Sequence, residues 1–164
     1  WVFAWHVYAN EWQSKRWLDN PDLDFVRRLV ARLAALYTVD RARVFAVGHS
    51  RGAALSIMLS FLAPDLVGGF GAQMGFAEVN GFDAFMRGYG GRKMPGFLVH
   101  GTDDPDVPVA ASDAIADLLR DEGWRDDEEL VYLRLPGVTH QWQPQYNEQL
   151  WAFLRDRPNT EVGP

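Results

Sequence analysis

Val44-Phe45-Ala46-Val47-Gly48-His49-Ser50-Arg51-Gly52-Ala53-Ala54-Leu55-Ser56-Ile57-Met58-Leu59-Ser60-Phe61-Leu62 is the stretch on which the fold turns. Residues 44–47 form a continuous apolar run, the pattern of a strand covered on both faces. Residues 53–62 are apolar almost all round, which predicts a buried helix stopped before Pro64. Between them Gly48-His49-Ser50-Arg51-Gly52 fits G-x-S-x-G. Alone that pattern is weak; between a strand and a helix it has the context that gives it meaning. So tight a turn puts Ser50 at a strained backbone conformation, and flanking glycines at 48 and 52 are expected to remove side chains that would collide there. Ser50 is then presented above the carboxyl end of the sheet, where open α/β folds bind ligands. The N–H of Arg51, at a helix N-terminus, is directed at the same place and suits a developing oxyanion. The plainer alternative is that Ser50 only caps the helix.

Working outward, short apolar runs alternate with amphipathic segments, which predicts βαβ units and a parallel sheet. Residues 2–8 read as a strand, residues 10–19 as loop. Asn20-Pro21 opens a helix, Asn as cap and Pro at the first helical position. Phe25, Val26, Leu29, Val30, Leu33 and Leu36 then recur at helical spacing, with Arg27, Arg28 and Arg32 on the other side. Residues 67–74 read as a Gly-rich strand and residues 75–93 as irregular. Residues 97–100 and 130–135 read as strands, 109–122 and 145–154 as helices. Residues 1–157 make one domain and residues 158–164 a loose tail. The acidic run 126–129 reads as a solvated turn.

The 164 residues are 48% hydrophobic and 23% charged, enough to bury a core without staples. A net charge of −6 disfavours nucleic acid as a partner. With no Cys, thiolate chemistry and disulfides are excluded. No apolar run approaches the ~20 residues of a membrane span.

Three motifs carry a resemblance: residues 39–44 leading into Gly48–Gly52; His100-Gly101-Thr102-Asp103-Asp104-Pro105-Asp106-Val107-Pro108; and Pro136-Gly137-Val138-Thr139-His140-Gln141-Trp142. Over essentially its whole length the chain resembles the α/β-hydrolase superfamily, in which the serine turn is followed in chain order by an acid and then a histidine. Within it the chain is most similar to the polyhydroxyalkanoate-depolymerase, feruloyl-esterase and phospholipase/carboxylesterase group. The resemblance implies a three-layer α/β sandwich with a mostly parallel sheet. It also implies a serine esterase working through an acyl-enzyme: Ser50 as nucleophile, His140 as base, and Asp104, four residues after His100, as the orienting acid. Asp103 is the alternative acid and His100 is expected to be a packing residue. Arg51 would contribute to the oxyanion hole, and Trp142, Phe76 and His49 would contact substrate. Phe82, Phe85 and Tyr89 are further candidates for a pocket wall, or for core. The acyl-enzyme route needs no metal or cofactor.

Against the family pattern, strands four to eight are expected here and strands one to three are not. The loop that supplies the second oxyanion donor does not precede Ser50. Because the third strand of that fold lies between the fourth and fifth, an N-terminal segment or second chain is expected to fill the place. Otherwise residues 2–8 would move beside residues 44–47. Two other functions fit the same motifs. One is an oligopeptidase-type or other acyl-transfer hydrolase. The other is a non-catalytic fragment whose three residues are intact but unassembled.

Overall fold

The computed structural model describes residues 5, 7, 20–77 and 79–162. Its elements are α1 (Pro21–Leu36), β1 (Ala46–His49), α2 (Arg51–Leu62), β2 (Phe70–Gln73), α3 (Val79–Met86), β3 (Gly96–Gly101), α4 (Ala110–Asp121), β4 (Leu130–Leu135) and α5 (Asn147–Arg155). The four strands form one parallel sheet in the order β1-β2-β3-β4. Neighbouring strands in sequence are neighbours in space, each pair joined by a helical crossover, as the alternating pattern requires.

The sheet divides two apolar layers. On one face Leu98, Leu130 and Tyr132 pack with residues of α1 through α4. On the other, Phe97, Val99, Val131, Leu133 and Leu135 pack against Leu150, Phe153 and Leu154 of α5. The alternation of 97/99 with 98, and of 131/133/135 with 130/132, is the period of a strand buried on both sides.

Helix α1 begins as the sequence indicates: the Asn20 side chain accepts the Asp22 N–H at 2.9 Å, with Pro21 in the first turn. Helix α2 is buried on every side from Ala53 to Leu62. Its two buried hydroxyls are satisfied within the helix, Ser56 donating to Gly52 O and Ser60 to Ser56 O.

Several expectations are corrected. Residues 75–93 are not irregular throughout, because α3 occupies Val79–Met86. Phe82, Phe85 and Tyr89 turn inward around Phe61, with ring centroids 5.4, 6.4 and 5.4 Å from it. Phe82 is core, at about 1.5–3 kcal/mol for a side chain fully withdrawn from water, and Phe85 and Tyr89 pack partly buried against the same layer. The tail is not loose along its length. Asn159 is buried, its N–H bonded to Ala42 O and its side chain to Pro64 O, both at 2.8 Å. The expected strand at residues 2–8 and the loop at 10–19 lie outside the described residues, apart from Trp5 and Val7.

The strand before Ser50 is not covered on both faces: Val47 is 45% exposed. The apolar stripe of α1 is covered only in part: Val30 is buried, but Phe25 is 53% and Leu29 43% exposed. A groove of about 320 Å³ runs between them, lined in part by Phe25, Leu29, Val47 and Leu55. Along β1 the N–H groups of Ala46 and Ser50 and the C=O of Val44 are bonded toward β2. By alternation the peptide groups of Phe45, Val47 and His49 face the opposite edge. Among the described residues no strand pairs with that edge. Nor is any described helix long and apolar enough to cross a membrane.

Candidate active site

Ser50 closes the turn between β1 and α2 with φ 56° and ψ −120°. A non-glycine residue in that region is strained, and such strain gathers where a side chain must be aimed. The turn is held on both sides. The Ser50 N–H donates to Gln73 O at 2.9 Å, and its C=O accepts from Ala53 and Ala54. Its hydroxyl makes no capping bond to α2, which removes the plainer reading of Ser50 as a helix cap. The two glycines are not equivalent. A Cβ on Gly48 would lie 2.2 Å from the Gly52 carbonyl, so only glycine fits there. A Cβ on Gly52 would meet nothing nearer than Trp5 Nε1 at 4.0 Å, which corrects the expectation that both relieve a collision. Arg51 is the first residue of α2, at the positive end of the helix dipole.

Asp104 follows β3. Its side chain is fully buried, and Oδ1 accepts the N–H groups of Asp106 and Val107, each at 2.9 Å. Oδ2 then faces His140, whose Nδ1 lies 2.7 Å away. Asp103 points elsewhere, accepting the Thr102 hydroxyl, so Asp104 is the carboxylate brought to the imidazole. Burial pushes the Asp104 carboxyl up, but the Val107 N–H, the His140 ring and the Asp106 N–H together hold it below the usual carboxylate range. It is therefore charged, and the Nδ1 of His140 carries the proton between them. That tautomer leaves Nε2 as an acceptor.

The loops bearing the two groups are stitched together. Thr102 N–H donates to Leu135 O, Asp103 N–H to Val138 O, and Gly137 N–H to the Thr102 hydroxyl. A Cβ on Gly101 would sit 2.0 Å from Val138 O, so the close approach requires glycine.

Two further histidines surround the pair. His100 is buried, as expected of a packing residue, but it also makes polar contacts. Its Nε2 donates to Val107 O at 2.9 Å and lies 3.2 Å from Asp104 Oδ2, while its Nδ1 accepts the Ser112 hydroxyl at 2.6 Å. His49 packs against His140 with ring centroids 4.6 Å apart and the rings tilted by 50°. Its Nε2 is buried and has no hydrogen-bond partner among the described residues. Desolvation, and next the neighbouring His140, hold the His49 imidazole below its ordinary value. The unfolded chain therefore binds the proton more readily than the native one, so stability falls as pH drops below the unfolded value of about 6.5. Thermal melts of wild type and His49→Asn across that range are expected to differ in slope, the wild type losing more stability on acidification. Parallel curves would contradict this environment for His49.

Phe76 and Trp142 are half-buried, Phe76 packed against the larger apolar layer. Asp104, Asp106 and His140 are close enough to hold an ion, their ligand atoms all within 4.8 Å. Both oxygens of Asp104 are already engaged by N–H donors, an arrangement that orients an imidazole.

A parallel sheet sandwiched by helices, with a strained serine on the turn after one strand and an Asp–His pair on loops after two later ones, is the architecture of an α/β-hydrolase. Within that class the chain belongs to the phospholipase/carboxylesterase family, which residues 19–156 match. No curated protein matches the chain. Among solved structures it is similar to SOBER1 of Arabidopsis thaliana, with TM-score 0.65 and 22% identity over 82% of this chain and 62% of that one. It is similar to esterase PE8, with TM-score 0.61 and 24% identity over 77% of this chain and 56% of that one. A PHB depolymerase, solved as a serine-to-alanine variant complexed with an R3HB trimer, aligns with TM-score 0.52 and 15% identity, covering 63% of this chain and 41% of that one. The chain thus spans less than two thirds of the length of each of these three structures.

Proposed function

We propose that the chain is the catalytic part of a serine hydrolase that cleaves carboxylic esters through an acyl-enzyme. Ser50 attacks the ester carbonyl. His140 Nε2 takes the Ser50 proton and later returns it to the leaving alcohol. Asp104 fixes the ring and stabilises the imidazolium. The Arg51 N–H is one donor to the oxyanion. Water then hydrolyses the acyl-Ser50 ester with His140 again as base. His49, uncharged beside His140, adds no repulsion to the transient imidazolium. Trp142, Phe76 and His49 would bound the substrate.

The observation that carries this reading is the 2.7 Å contact between His140 Nδ1 and a buried carboxylate that, among the described residues, has no other basic side chain than His100 against it. An imidazole oriented in this way is the requirement of a general base. Family membership supports the same reaction class. Assays of p-nitrophenyl esters against proline-peptide amides test it. Turnover of esters far exceeding that of amides is expected; the reverse order would make the chain a peptidase.

The open edge of β1 belongs to this proposal. Strand groups with no strand partner among the described residues, beside an apolar groove, are a poor end for a sheet. An N-terminal segment or a second chain, paired with Phe45, Val47 and His49, would cover both the edge and the α1 stripe. It would also bring the second oxyanion donor beside Ser50.

A further inference from the structure

We infer that Gln73 is a positioning residue, whose side-chain amide anchors the loop that presents His140 to Ser50. The inference rests on the proposed roles of Ser50 and His140. Gln73 ends β2 and is fully buried, in a strand that is otherwise Phe, Gly and Ala. A buried amide is costly unless its hydrogen bonds are made, and here they are made to one residue's main chain. Oε1 accepts the Gln143 N–H at 2.7 Å, and Nε2 donates to Gln143 O at 3.4 Å. The backbone C=O of Gln73 accepts the Ser50 N–H at 2.9 Å. One residue therefore holds the serine turn with its main chain, and with its side chain the loop three residues beyond His140.

The rest of that loop has few other anchors. Before His140 it is fixed through Gly137 and Val138 to the loop bearing Asp104. After His140 the Gln143 side chain donates to Gln141 O at 2.9 Å and accepts from Gln145 at 2.8 Å, a network that Gln73 ties to the sheet. Removing the amide would leave the Asp104–His140 pair joined but let it shift relative to Ser50. Proton transfer is steep in distance, and a displacement of about 1 Å can cost on the order of a hundred-fold in rate. Substrate affinity would not change, because Gln73 is fully buried and offers substrate no surface.

The test compares full-length wild type with Gln73→Met, which keeps the length and removes the amide. Steady-state kinetics on a p-nitrophenyl ester are read beside hydrogen exchange of the Gln143 N–H. The kcat of the variant is expected to fall by about ten- to hundred-fold. Its KM should stay within about two-fold. The Gln143 N–H should exchange slowly in the wild type, and fast in the variant while β3 stays protected. A folded variant with unchanged kcat overturns the inference. So does fast exchange at Gln143 in the wild type, a result that needs no variant to fold. A wild type with no turnover but a protected Gln143 N–H supports the anchor and overturns the hydrolase reading instead.

Discussion

Asp104→Asn is expected to lower kcat by about 10⁴, and His140→Ala by about four to six orders of magnitude, with KM little changed. The asparagine result follows from the two oxygens of Asp104 having different partners. Oδ1 accepts the N–H groups of Asp106 and Val107, so an asparagine would keep its carbonyl there and turn its NH₂ toward His140. That NH₂ can only donate. His140 would have to accept at Nδ1 and carry its proton on Nε2, the wrong tautomer to take one from Ser50. Asp103→Asn is the control. Among the described residues its carboxylate meets only the Thr102 hydroxyl, so its kcat should match the wild type. Steady-state turnover of a p-nitrophenyl ester measures all three variants. A large loss from Asp103→Asn with none from Asp104→Asn would reverse the assignment.

The second large effect concerns the edge of β1. By itself the 164-residue chain is expected to hydrolyse esters about 10²- to 10³-fold more slowly than the same chain joined to a segment that fills the groove. That is the usual effect of one oxyanion donor, here the one that Arg51 does not supply. The outward N–H groups of Phe45, Val47 and His49 should move from fast to slow exchange when the segment is present, because strand pairing protects them. Equal rates for the two forms, or protection of those amides in the 164-residue chain alone, would mean that the edge is already satisfied.

Much of the architecture is legible from local pattern. β4 falls on residues 130–135 as read, because its alternating face and its flanking turn signals agree. α1 begins where Asn20-Pro21 indicates. β1 lies two residues later than its apolar run, at Ala46–His49 and not 44–47, because pairing with β2 and not β-propensity sets its limits. α3 is hidden by glycines at 81, 88, 90 and 91, although Phe82, Phe85 and Tyr89 keep a helical spacing around Phe61. The serine turn can be read because its residues are contiguous. The Asp104–His140 contact is reached only through the resemblance, since 36 residues separate the partners. Gln73 is out of reach, its partner being 70 residues away. The only signal is a polar residue closing an apolar strand. Nor does sequence reveal that His100 faces Asp104, since its side chain could equally have packed without a polar contact.

The most direct measurement is mass spectrometry of the assembled protein after treatment with a fluorophosphonate. A single covalent adduct is expected on the peptide containing Ser50, formed by wild type, abolished in Ser50→Ala and greatly slowed in His140→Ala. An unmodified Ser50 in folded wild-type protein, or labelling that proceeds as fast without the His140 imidazole, would contradict it.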